Sequence, residues 1–128
     1  MRIITPRVHG YFDFMIVAAF AVAPSLYGFS STTAKISYSI AAIHLIVSLI
    51  TAYRFGILKL IPFPVHGALD FIVAVGLVGL PWIAGFAPEM IARNFYIAAG
   101  AVGFLIVLLT DYRASAASLR LTVSRAAR

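Results

Sequence analysis

The fold of this chain is decided by a segment that occurs twice. Residues 8–14 read VHGYFDF, and residues 65–71 read VHGALDF, 57 positions later. A displacement of 59 then aligns TAYR at 51–54 with TDYR at 110–113. Because ionisable residues are rare in apolar sequence and recur here in the same order, we predict an internal repeat.

The composition around these segments is that of a membrane protein. Of 128 residues, 62% are hydrophobic and 11% are charged, and the mean hydropathy is +1.02. Soluble domains carry about 25% charged residues, so this composition excludes a soluble globular or disordered chain. We predict one transmembrane domain over residues 1–128. Since the chain has no cysteine, disulfides and thiolate metal ligands are excluded.

Charged residues divide the chain into four uncharged stretches of 17 to 21 residues. Each can cross about 30 Å of hydrocarbon as a helix. We therefore predict an all-α polytopic fold with transmembrane helices near 6–28, 34–54, 64–86 and 89–112. Short connections make the helices of each repeat antiparallel neighbours. Repeat 1 (about 6–54) and repeat 2 (about 64–113) are then two helical hairpins, related by a pseudo-two-fold axis along the membrane normal.

The N-terminal segment permits a second interpretation. Arg2 and Arg7 precede an apolar run that reaches AVA at 21–23, which resembles a cleavable signal peptide. Because the same segment has a counterpart in the second repeat, we expect a retained span.

The basic residues indicate the orientation. Eight of the ten Lys and Arg fall on the side of both termini, and only Lys35 and Arg93 fall on the other. The positive-inside rule then places the N- and C-termini in the cytoplasm, in a bacterial-type inner membrane. The formal charge of +6 indicates topology and anionic lipid headgroups rather than nucleic acid. We expect the basic cytoplasmic tail, 114–128, to lie on the lipid surface or to dock on a partner.

The tandem repeat resembles the SPW-repeat integral membrane proteins. Each copy begins with His-Gly-x-x-Asp, and the outer ends carry LPW at 80–82 and APS at 23–25. Neither tripeptide is a literal Ser-Pro-Trp. The resemblance covers about 6–113 and implies a fold of two transmembrane hairpins, but it carries no settled activity.

A candidate polar cluster lies on the cytoplasmic side of the predicted bundle. The pairs His9/Asp13 and His66/Asp70 are each four residues apart and so share a helix face. Buried acids of this kind need a partner. Its six members are His9, Asp13, His66, Asp70, Arg54 and Arg113. One interpretation is structural: the two arginines clamp the two aspartates, while Tyr53 and Tyr112 lie in the headgroup layer.

The other interpretation is a binding site. If helices 1 and 3 face each other, two histidines and two aspartates converge and could hold Zn²⁺ or Fe²⁺. The two histidines alone could ligate a haem axially, and the cluster could also handle protons. His44, with Gly103 at the corresponding position of repeat 2, is either a hydrogen-bonded neutral histidine or an intramembrane ligand for a tetrapyrrole or other cofactor. The metal stays unassigned, and the sequence requires no cofactor.

The remaining sequence favours a non-enzymatic protein. It contains no nucleophile–base–acid set and no phosphate-binding loop, and it lacks the lining of a channel filter. We predict a small structural or accessory subunit that acts in a larger membrane complex or by self-association. The alternative is a cofactor-, metal- or proton-binding four-helix bundle that uses the paired His and Asp residues.

Overall fold

Four helices make up most of the chain in a computed structural model, which describes residues 3–113. They are α1 (Pro6–Tyr27), α2 (Ser31–Ile50), α3 (Phe63–Ile83) and α4 (Met90–Leu109). Each is long and apolar enough to cross a membrane. The predicted all-α fold with four apolar helices is therefore confirmed, and it indicates a multi-pass membrane protein. The tail at 114–128 lies outside the described residues.

The distribution of polarity differs from that in a soluble bundle, although an apolar core around Phe20, Leu77 and Tyr96 is present. Large apolar side chains point outward, as in Met15, Ile43 and Ile72, which are 61%, 62% and 65% exposed. Many polar side chains are buried beside this core: His9, Asp13, Thr33, Ser37, His44, Ser48, Thr51, His66 and Thr110. An apolar exterior suits contact with lipid, and ionisable groups that must lie within a membrane face the interior.

The helix contacts are uneven. α1 packs mainly against α2, α3 packs mainly against α4, and α1 also contacts α4. α3 and α4 approach closely where a Cβ on Gly100 would stand 2.7 Å from the carbonyl oxygen of Ala74. Small residues permit such close packing of apolar helices.

α2 and α4 end at Ile50 and Leu109, four and three residues before the predicted ends at 54 and 112, and a threonine follows each helix. At each position the backbone becomes extended. The Thr51 hydroxyl donates to the carbonyl oxygen of Val47 at 2.7 Å, and the Thr110 hydroxyl donates to that of Ile106 at 2.6 Å. The predicted helix ends were set by the next charged residue in the sequence. The backbone leaves the helix earlier, at the threonine, and the charge pattern does not reveal this.

Short extended segments connect the helix ends on the side of the termini. β1 (Thr51–Ala52) pairs in parallel with β2 (Ile61–Pro62), and Thr51 lies opposite Ile61. At the positions that correspond in the repeat, Thr110 forms a parallel bridge with Ile4. The start of α1 is therefore joined to the end of α4, and the start of α3 to the end of α2.

At the opposite end of the bundle, Glu89 links the start of α4 to the start of α2. Its carboxylate accepts hydrogen bonds from the Ser30 amide (3.1 Å), the Ser30 hydroxyl (2.6 Å) and the Thr33 hydroxyl (2.7 Å). Ser30 is the N-cap of α2, where negative charge is favourable. Burial acts to raise the pKa of Glu89, but these hydrogen bonds outweigh it and hold the pKa below its ordinary value.

Candidate metal centre

Four of the six predicted cluster residues converge at one point. One potential ligand atom from each of His9, Asp13, His66 and Asp70 lies within 4.8 Å of all the others. His9, Asp13 and His66 are at most 2% exposed, and the Asp70 side chain is 10% exposed. The four-residue spacing places each pair on one helix face, and side-chain contacts from His9 to Asp70 and from His66 to Asp13 join the two pairs. The predicted His/Asp cluster is therefore present.

The interatomic distances have the size of a metal coordination sphere. His9 Nε2 lies 3.2 Å from Asp13 Oδ1 and 3.1 Å from Asp70 Oδ2. His66 Nε2 lies 3.4 Å from Asp13 Oδ2 and 3.1 Å from Asp70 Oδ2. A tetrahedral ion with bonds of about 2.0–2.1 Å separates its ligands by about 3.3 Å. Direct N–H···O hydrogen bonds have similar lengths, so the direction of each N–H must decide between the two.

A threonine holds each imidazole at the nitrogen that faces away from the centre. His9 Nδ1 lies 2.9 Å from Thr110 Oγ1, and His66 Nδ1 lies 2.8 Å from Thr51 Oγ1. Both hydroxyl protons are already donated to helix carbonyls, so each threonine oxygen accepts and each Nδ1 carries a proton. A neutral imidazole of this tautomer presents the Nε2 lone pair to the centre, as metal-bound histidines do.

The Nε2 atom of His66 distinguishes a metal site from a set of direct hydrogen bonds. It is buried and near both carboxylates, yet it makes no hydrogen bond within residues 3–113. Both distances to the carboxylates would permit a hydrogen bond, so it is the direction of the Nε2 atom that excludes one. If both imidazoles were protonated, each Nε2–H would need an acceptor; His9 has one in Asp70, whereas His66 has none. A buried nitrogen without a hydrogen bond is explained by an ion or a water between the groups.

The charge of the cluster requires compensation. With both histidines neutral, the two aspartates give the site a charge of −2, which is costly away from water. Two protons or one divalent cation would balance it.

The predicted arginine clamp does not supply this charge. Arg54 and Arg113 are exposed, and all ion pairs of Asp13 and Asp70 within residues 3–113 are with histidines. The reason is the early ends of α2 and α4. Because both helices stop at a threonine, the arginines follow in the connections and do not reach into the bundle. That prediction is therefore corrected.

Tyr53 positions the first aspartate. Its hydroxyl donates to Asp13 Oδ2 at 3.0 Å, and the residue is 5% exposed, so it faces the cluster and not the surface of the protein. Burial and the charge of Asp13 raise the pKa of Tyr53 and keep it a donor. Its ring lies over Gly10, where a Cβ would stand 2.7 Å from it, and the Tyr112 ring covers Gly67 in the same way. The glycine after each histidine thus makes room for a ring.

His44 lies beside this cluster on α2. Its Nε2 is 3.6 Å from Asp13 Oδ1 and has no hydrogen-bond partner among the described residues. A cavity of about 30 Å³ adjoins it, with His9, Asp70 and Gly103 also in the lining. About 10–15 Å³ hold one water, so a porphyrin does not fit. The haem and tetrapyrrole hypotheses are not supported by the described residues.

The donor set narrows the chemistry of the site. Two imidazole nitrogens and two carboxylate oxygens suit Zn²⁺ or Fe²⁺, whereas Cu⁺ prefers sulfur and Ca²⁺ prefers six or more oxygens. Sequence reasoning found these four residues but missed the threonines and the role of Tyr53. The recurring TAYR and TDYR segments were the available signal. No protein-family model, characterised protein or solved structure matches this chain.

Proposed function

We propose that this chain is an integral membrane protein that binds one divalent transition-metal ion, Zn²⁺ or Fe²⁺. The ligands are His9, Asp13, His66 and Asp70. One observation carries the proposal: His66 Nε2 is buried between two carboxylates and bonds to neither, while its other nitrogen is held by Thr51. A cation at that point accepts the lone pair and neutralises both acids.

The proposal places the ion between two helical hairpins related by a pseudo-two-fold axis. Support comes from contacts between corresponding positions: His9 bonds Thr110, and His66 bonds Thr51. Each repeat then supplies one histidine and one aspartate to the ion, and one threonine to the histidine of the other repeat. This arrangement agrees with the resemblance to the SPW-repeat proteins.

The site belongs to the cytoplasmic half of the membrane in this proposal. His9 and Asp13 lie in the first two turns of α1, on the side of the termini, where eight of ten basic residues fall. The partially exposed Asp70 side chain is the member of the set nearest to an entry path for the ion.

The test is metal analysis of protein purified in mild detergent, followed by titration with Zn²⁺ and with Fe²⁺ without oxygen. We expect one ion per chain. His66→Gln and Asp13→Asn should each lower the affinity by more than about 100-fold, since outer-shell changes alone cost 10–100-fold. The matched control is the Arg54→Gln/Arg113→Gln double variant, which should bind like the wild type.

Two results would overturn the proposal. One is a wild-type chain that stays metal-free in the titrations. The other is wild-type affinity in both His66→Gln and Asp13→Asn, because the ion would then bind elsewhere.

An accessory role in a larger membrane complex, or self-association, is a separate proposal. It is compatible with a metal that ties two repeats together. A tagged chain should then co-purify with defined partners or as a defined oligomer. Recovery of a stable monomer alone would count against it.

A further inference from the structure

The two repeats differ in polarity at a position beside the proposed metal site. His44 of repeat 1 corresponds to Gly103 of repeat 2, and both residues line the cavity of about 30 Å³. Where one repeat presents an imidazole, the other presents no side chain. The missing side chain of Gly103 leaves room for the cavity, and the His44 imidazole makes one of its walls polar.

This cavity opens onto the proposed ligands. His9, Asp13 and Asp70 contribute to its lining, and the rest of the wall is largely apolar, including Ile40 and Leu77. By volume it holds one or two waters. A molecule within it would lie between the proposed ion and His44.

The Nε2 of His44 has no partner for its hydrogen-bonding capacity. The residue is 9% exposed, the 3.6 Å separation from Asp13 Oδ1 exceeds hydrogen-bond length, and no other described residue bonds to it. Buried polar groups of this kind are usually satisfied by a molecule that occupies the adjacent space.

From these observations we infer that the cavity is a binding position for a small exogenous ligand of the metal ion. The ligand is a Lewis base of one or two non-hydrogen atoms, such as water, hydroxide or a diatomic gas. It coordinates the ion and hydrogen-bonds with His44. This inference rests on the proposed metal function, and it makes the centre one that exchanges ligands rather than a closed structural site.

Nitric oxide is a suitable probe because it has two heavy atoms and gives a paramagnetic complex with Fe²⁺. Protein loaded with Fe²⁺ without oxygen is titrated with nitric oxide and followed by electron paramagnetic resonance. We expect a stoichiometric iron–nitrosyl signal in the wild type. His44→Leu, which removes the polar wall, should weaken nitric oxide binding by about tenfold, the equivalent of one lost hydrogen bond of about 1.4 kcal/mol.

Two glycine variants test the position of the ligand. Gly103→Val fills the cavity from the wall where an added Cβ meets only Ala74 Cβ, at an ordinary 3.5 Å. It should abolish the nitrosyl signal and leave Fe²⁺ stoichiometry unchanged. Gly76→Val on α3 is the matched control, since nothing lies within 4 Å of an added Cβ there, and it should behave like the wild type.

The outcomes separate this inference from the proposed function. A chain that takes up neither Fe²⁺ nor Zn²⁺ refutes the metal function itself. A chain that takes up Fe²⁺ but gives no nitrosyl signal, or gives one that Gly103→Val does not affect, refutes the exogenous ligand and leaves the metal function standing. Should Gly103→Val fail to fold, the smaller Gly103→Ala and the His44→Leu variant carry the same test.

Discussion

Replacing a threonine that holds a histidine tests the site without touching any proposed ligand. Thr51→Val removes the hydroxyl that accepts from His66 Nδ1 at 2.8 Å and keeps the shape of the side chain. The histidine loses the contact that sets its tautomer and its ring orientation. Thr110→Val does the same to His9, whose Nδ1 lies 2.9 Å from the hydroxyl oxygen.

The magnitude follows from the role of such contacts. Outer-shell partners of histidine ligands contribute about 10–100-fold to metal affinity, or about 1.4–2.7 kcal/mol. Each single variant should weaken Zn²⁺ binding by that factor. The metal-free protein should also lose about 1–3 kcal/mol of stability, because a buried N–H is left without an acceptor.

The assay is competition with a chromophoric chelator in detergent, with thermal unfolding measured on the same samples. Thr33→Val is the control: Thr33 is equally buried, but its hydroxyl donates to Glu89 at the other end of the bundle, at 2.7 Å. It should lower stability and leave Zn²⁺ affinity unchanged. Equal affinities for Thr51→Val and the wild type, or an equal loss in Thr33→Val, would refute the reasoning.

Three further predictions concern residues around the site and at the opposite end. Tyr53→Phe removes the donor to the first aspartate and should lower Zn²⁺ affinity about tenfold in the same competition assay. Gly67→Ala drives a Cβ into the Tyr112 ring and should cost about 1–3 kcal/mol in thermal unfolding, whereas Gly76→Ala should be neutral or stabilising. Because the folded-state pKa of Glu89 lies below its ordinary 4.5, its contribution is complete above that value and is lost as pH falls through the folded pKa. Glu89→Gln should therefore be less stable than the wild type at pH 7, and the difference measured by thermal unfolding should shrink as the pH is lowered below 4.5.

The helices and the two His/Asp pairs could be predicted because each depends on local spacing. Apolar runs of membrane length indicate helices, and a separation of four residues places two side chains on one face. Nothing non-local is needed for either step. The convergence of the pairs was predicted only as one option, since it depends on how α1 and α3 lie in the bundle.

The partners of the acids could not be predicted in the same way. Opposite charge pointed to Arg54 and Arg113, which lie close to the threonines in sequence but outside the bundle. The contact that matters joins His9 to Thr110, 101 positions apart. A threonine after an apolar run looks like a helix terminator, and only the structure reveals that its hydroxyl oxygen also accepts from an imidazole.

Two unequal repeats within one chain can do what two separate copies of one repeat cannot. His9 depends on Thr110 and His66 depends on Thr51, so either repeat by itself would leave its histidine without an acceptor. Two identical copies could satisfy both histidines, but they would place the same residue at the positions of His44 and Gly103. Two histidines would crowd the cavity, and two glycines would leave it without a polar wall. Fusion into a single chain removes that restriction and allows one wall to be polar and the other to be open.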